Sequence, residues 1–172
     1  MGRSASASLP FQKLSLKYRP GADPSFVNPF RPGSPLQGCA SINYGLSPRA
    51  LIRDEAGRIL FLLRSTECTY WPGEWELTGG KPDPGEDIFH CLRREALEET
   101  GLVIEPIRLI GASETNLPSV RVIYLVLEAK RISGELRLSE EHSDARWVAP
   151  AEMNGLKIMQ PIVEVLRGTH FS

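Results

Sequence analysis

The stretch "GGKPDPGEDIFHCLRREALEETGL", residues 79–102, leaves little freedom in how this chain folds. Its glycines and prolines enforce a loop. Asp87 can cap the helix that follows, and Ile88, Leu92 and Ala96 recur at the spacing of one apolar stripe. Gly101, directly after Thr100, supplies a left-handed stop. The loop has the look of a phosphate cradle, yet acids follow it. A Walker-type loop needs GxxxxGK[ST], because its lysine and hydroxyl bring charge and magnesium to the phosphates. Here Gly80 is followed by Gly85, Glu86 and Asp87, so that reading fails.

The acids on the helix have a pattern of their own. Glu95, Glu98 and Glu99 stand at i, i+3 and i+4 and share one side, beside the apolar stripe. Like charges at this spacing destabilise a helix by about 0.2–0.5 kcal/mol per pair. Arg94, four residues before Glu98, is placed to offset part of that cost. Taken alone, three glutamates on a helix describe a solvated acidic face. A hard divalent cation offers the other reading, since Mg2+ takes carboxylate oxygens and then accepts phosphate oxygens among its remaining ligands. Acids and a phosphate-binding role then no longer conflict.

Gly80, Glu86, Arg94, Glu95, Glu98, Glu99, Gly101 and Leu102 fill the fixed positions of G-x5-E-x7-R-E-U-x-E-E-x-G-U, and the stretch resembles the box of the Nudix hydrolase family. Ala96 stands where that family prefers a larger aliphatic, and Thr78 replaces the proline common before the two glycines. The resemblance extends over roughly residues 45–168. It implies an α/β fold, a Nudix-type α/β/α sandwich with a mixed central sheet, and metal-dependent cleavage of a diphosphate linkage in a small nucleotide. Residue by residue, it implies Glu98 and Glu99 as ligands of Mg2+ or Mn2+, Glu95 as a ligand or the base, and the Gly80 carbonyl as a further ligand. Arg94 would orient the glutamates, and Glu86 would fix the loop to the helix. Such proteins often carry another acid on a later loop; in "SEEHSDARW" that is Glu141, as an additional ligand or alternative base, with His142 a neighbour.

Elsewhere the pattern predicts a hairpin (strands at 50–52 and 59–63, turn at 54–57) and a short segment at 75–78. Further strands are predicted at 107–112, 120–129 and 145–148, and a closing helix at 160–167, opened by Pro161 and stopped by Gly168. The 120–129 run is nearly all apolar, as a buried central strand should be. Irregular interleaving of strands and helices favours a mixed sheet over a doubly wound one.

A chain of 172 residues, 41% hydrophobic and 24% charged, suits one soluble domain with an appendage. Its net charge of -1 gives no basic field for nucleic acid, and no apolar run approaches the roughly 20 residues of a membrane span. Cys39, Cys68 and Cys91 are odd in number and widely spaced, as expected of free thiols in the cytoplasm. Residues 1–40 hold five basic side chains and one acid, Asp23, and are rich in proline. They read as a partly ordered arm, with the Nudix-type domain at 41–172. The arm fits docking on a partner or across a homodimer. "MGRSAS" also matches the minimal myristoylation pattern, and the Ser-rich start is loosely like a transit peptide; both patterns are short enough to arise by chance.

The substrate is expected to be a small nucleotide, either a nucleoside triphosphate or a nucleoside diphosphate linked to another group. Pro118, sixteen residues beyond Leu102, stands where ADP-ribose-cleaving members tend to carry proline, which keeps an ADP-ribose or NDP-sugar pyrophosphatase as an alternative. Trp71, Tyr70 and Phe30 are candidates for stacking on a base. A third reading is a nucleotide-binding sensor without turnover, against which the intact Arg94, Glu95, Glu98 and Glu99 argue.

Overall fold

The computed structural model describes residues 43–168, so the arm at 1–40 and its Phe30 lie outside the described residues. Six strands and two helices follow in the order β1 (Tyr44–Ile52), β2 (Ile59–Arg64), β3 (Trp75–Glu76), α1 (Ile88–Thr100), β4 (Leu102–Leu117), β5 (Val120–Gly134), β6 (His142–Val148) and α2 (Gln160–Arg167). A short 3-10 helix at Pro150–Gly155, which the sequence pattern does not announce, precedes α2.

One sheet has the order β1-β5-β4, with β1 parallel and β4 antiparallel to β5; the other has the order β3-β2-β6 and is antiparallel. The mixed sheet expected from the sequence is present, with β5 central. Alternation along the strands sends side chains to two cores. Ala50, Ile52, Leu60, Leu62, Leu127 and Ala129 pack with Leu92 and Ala96 of α1. Leu51, Ile59, Phe61, Tyr124 and Val126 face the other way, against Ile162, Val165 and Leu166 of α2. Strands between two helical layers make the α/β/α sandwich.

Strands β1 and β2 form where the pattern puts them, and the turn between them is closed by hydrogen bonds from Gly57 N to Asp54 O and from Asp54 N to Arg58 O. They are not a paired hairpin. A single bridge, Arg53 to Ile59, joins them, and β1 pairs with β5 while β2 pairs with β3 and β6. The runs Ala50–Ile52 and Ile59–Leu62 are buried on both faces, so each is drawn into a different sheet by the two cores it serves. β4 is also much longer than 107–112. Register shifts after Val103, Pro106 and Leu109 break its alternation and conceal it in the sequence. Pro106 is tolerated because β4 is the edge strand.

Candidate active site

Local chemistry fixes α1 at both ends. The Asp87 carboxylate accepts from Phe89 N and His90 N, and Gly101 ends the helix at φ 68°. Between these ends the three glutamates occupy graded environments: Glu98 is exposed, Glu95 half-buried, and Glu99 buried beside Ala96 and Thr100.

Glu99 points inward, at the loop. Its Oε2 accepts from Thr78 Oγ1 at 2.5 Å and from Gly79 N at 2.9 Å, while its Oε1 lies 4.0 Å from His142 Nε2. Burial pushes its pKa up to about 7, with Glu76 adding to the rise and Arg49, His142 and Thr78 opposing it. Gly79 has φ 134°, and a Cβ there would collide with the Pro48 carbonyl, so only glycine brings the loop this close to β1. A Cβ on Gly80 would come within 2.6 Å of the Glu95 carboxyl carbon. The Gly80 carbonyl takes a weak thiol contact from Cys91 at 3.8 Å.

Arg94 gathers the remaining acids. Its Nε and Nη2 donate to the two oxygens of Glu86, both at 2.9 Å, and its Nη1 donates to Glu95 at 2.9 Å and Glu98 at 3.0 Å. Glu86 also accepts from Asp83 N, tying loop to helix, and the Arg94 hydrogen bonds hold its carboxyl down to about 2. Burial raises the Glu95 pKa, against the pull of Arg94.

Beneath Glu99 lies a polar layer that the sequence reading passed over. Glu76 on β3 is fully buried, and its carboxylate accepts from Arg49 at 2.7 Å and Arg64 at 2.5 Å, with His142 Nε2 at 3.0 Å. Burial pushes the Glu76 carboxyl up, but Arg49, His142 and Arg64 outweigh it and hold the group below its ordinary value. Arg49 Nη1 also donates to the Gly79 carbonyl at 2.5 Å and that of Leu77 at 3.2 Å. One signal was available: "SPRALI" and "WELTGG" each place a charged residue inside an apolar strand, where it must find a partner.

The structure therefore brings Gly80, Arg94, Glu95, Glu98 and Glu99 together. Glu141 is exposed in the turn before β6, where its carbonyl accepts from Ser65 N and Cys68 Sγ. Its neighbour His142 is the residue that reaches inward. Of the stacking candidates, Tyr70 is exposed, and Trp71 adopts φ 56° and packs partly buried against the α2-side core. Pro118 opens the two-residue β4–β5 turn, a position that proline's fixed φ suits without any ligand.

Among the described residues, no three His, Cys, Asp or Glu side chains converge as a ready cation cage. The helix glutamates are instead engaged with Arg94 and with the loop. In kind they fit a hard cation: three carboxylates and a backbone carbonyl, all oxygen donors, one carboxylate desolvated and its Oε1 beyond hydrogen-bonding distance of His142.

The sequence model of the NUDIX domain matches residues 43–166. The chain belongs to the Nudix family. The nucleoside triphosphatase NudI of Escherichia fergusonii is 32% identical over 108 residues, 56% of this chain and 77% of that protein. The MutT protein of Methanosarcina mazei superposes with a TM-score of 0.69 at 30% identity, over 75% of this Nudix chain and 94% of its own. An ADP-ribose pyrophosphatase of Streptococcus suis shares the fold, with a TM-score of 0.54 at 20% identity over 74% and 96% of the two chains. No helix among the described residues is long and apolar enough to cross a membrane.

Proposed function

We propose that this Nudix protein is a nucleotide pyrophosphohydrolase that acts on nucleoside triphosphates with Mg2+ or Mn2+. The observation that carries the reading is the single helical turn that sets Glu95 and desolvated Glu99 against the Gly79–Gly80 loop, with Glu98 held beside them through Arg94. Glu98, Glu99 and the Gly80 carbonyl would hold the metal, with Glu95 a further ligand or the base and Glu141 an outlying candidate. Bound there, the cation would polarise a phosphoryl oxygen, acidify water and neutralise charge on the leaving group.

The chain's own residues prepare that site. Arg94 bridges Glu95 and Glu98 through one nitrogen, offsetting part of their mutual repulsion and orienting one oxygen of each. Glu95, half-buried and with a raised pKa, is the group suited to take a proton from attacking water. Arg49 fixes the loop carbonyls from below, so the backbone at Gly79 does not depend on ligand for its position.

Identity with NudI supports the triphosphate. An ADP-ribose or NDP-sugar substrate is the second reading; its sequence indicator, Pro118, is accounted for by the turn. We place the reaction in the cytoplasm, a compartment compatible with the free Cys68 and Cys91. The test is a Mg2+-dependent hydrolysis screen over nucleoside triphosphates, NDP-sugars and ADP-ribose, with product identification. Release of pyrophosphate or phosphate from a triphosphate is expected. Turnover restricted to the diphosphate-linked compounds would favour the second reading, and no turnover on any class would favour a sensor.

A further inference from the structure

Glu99 has its two oxygens in different circumstances. Oε2 receives both the Thr78 hydroxyl and the Gly79 N–H, whereas Oε1 faces His142 Nε2 at 4.0 Å, too far for a hydrogen bond. Thr78 is itself immobilised. It is 1% exposed, and its carbonyl accepts from Ala50 N at 2.8 Å, which ties it to the C-terminal half of β1. Its hydroxyl has one proton to give and gives it to Glu99. A carboxylate with one oxygen occupied twice over by the protein has only the other to offer a cation.

Resting on the metal reading of the site, we infer that Thr78 is a positioning residue: its hydroxyl, bound to Glu99 Oε2, presents Oε1 as the oxygen that Glu99 offers to a divalent cation. Without that hydroxyl, Gly79 N alone orients the carboxylate, and Glu99 gains rotational freedom that metal binding must remove. Partners that orient a metal ligand in this way typically change affinity or activity by about 10–100-fold when lost.

The experiment is Mn2+ binding to the full chain, followed by the loss of the free Mn2+ paramagnetic resonance signal, for wild type, Thr78→Val, Thr78→Ser and Glu99→Gln, each checked by thermal melting. Thr78→Val is expected to weaken Mn2+ binding by about 10–100-fold. Thr78→Ser, which restores the hydroxyl, should return wild-type affinity, a rescue that a packing role for the threonine methyl would not produce. Should Thr78→Val fail to melt cooperatively, Thr78→Ala compared with Thr78→Ser makes the same comparison. Wild-type affinity in a folded Thr78→Val, together with lost binding in Glu99→Gln, would overturn the role of Thr78 and leave the metal site standing. Absence of Mn2+ binding in the wild type would overturn both.

Discussion

Glu98 and Glu99 are adjacent in sequence and opposite in circumstance, with side chains 58% and 9% exposed. Glu98→Gln removes a solvated charge whose partner, Arg94, keeps Glu86 and Glu95, so stability should change by no more than about 0.5 kcal/mol. Turnover should fall by more than the roughly 10–100-fold attached to outer partners of a metal ligand. Steady-state rates beside urea denaturation check both halves, and an unchanged rate removes Glu98 from the site. For Glu99 the informative variable is pH. Its folded pKa of about 7 lies above the ordinary 4.5, so on acidification the folded chain takes up this proton before the unfolded chain does. The associated stability is complete below about pH 4.5 and is lost as pH rises to about 7, at about 1.4 kcal/mol per unit. In chelator, Glu99→Gln should therefore raise Tm at pH 8 and leave it nearly unchanged at pH 5. Glu76 titrates in the opposite sense and is coupled to Glu99, so removing the Glu99 charge also relieves Glu76 at high pH, which acts in the same direction. Helical spacing placed these acids on one side of α1 and left their depth undecided, although Glu99 also continues the Leu92–Ala96 stripe and so had to meet the core.

At the scale of elements, what was legible in the sequence is what local chemistry decides. Asp87 and Gly101 fix α1 through bonds within a few residues, and the same holds for the Asp54–Gly57 turn and for α2. Strand pairing depends on partners far along the chain: a tight turn between two apolar runs predicts a paired hairpin, whereas two cores pull the strands into separate sheets. β4 was shortened for a related reason, since each bulge resets the alternation by which a strand is recognised. Because the α1 cap is local, so is its effect. Asp87→Ala removes the acceptor for two backbone N–H groups and should lower the urea midpoint with unchanged slope. A changed slope would mean that the loop before α1 also loses structure.

Across the whole molecule, the two sheets meet beneath the site through charge as well as through apolar packing. Arg49 comes from the mixed sheet; Glu76, Arg64 and His142 come from three strands of the other, and all meet at one carboxylate with no exposed surface. A charged residue inside an apolar strand announces that it needs a partner but not which one, and Glu76 finds its arginines 12 and 27 residues away, on two different sheets. The arrangement holds the roof of the site as well, since Arg49 also binds the Gly79 carbonyl while Gly79 N binds Glu99. Glu76→Ala would leave Arg49 and Arg64 without their counter-charge at a place where water does not reach the carboxylate they bind, a loss usually worth about 3–5 kcal/mol. Glu98→Gln also removes one negative charge, from the rim, so comparing the two in chelator separates burial from net charge. A denaturation midpoint for Glu76→Ala as close to wild type as that of Glu98→Gln would mean that the arginines relax into water. The sheets would then be joined by their apolar cores alone.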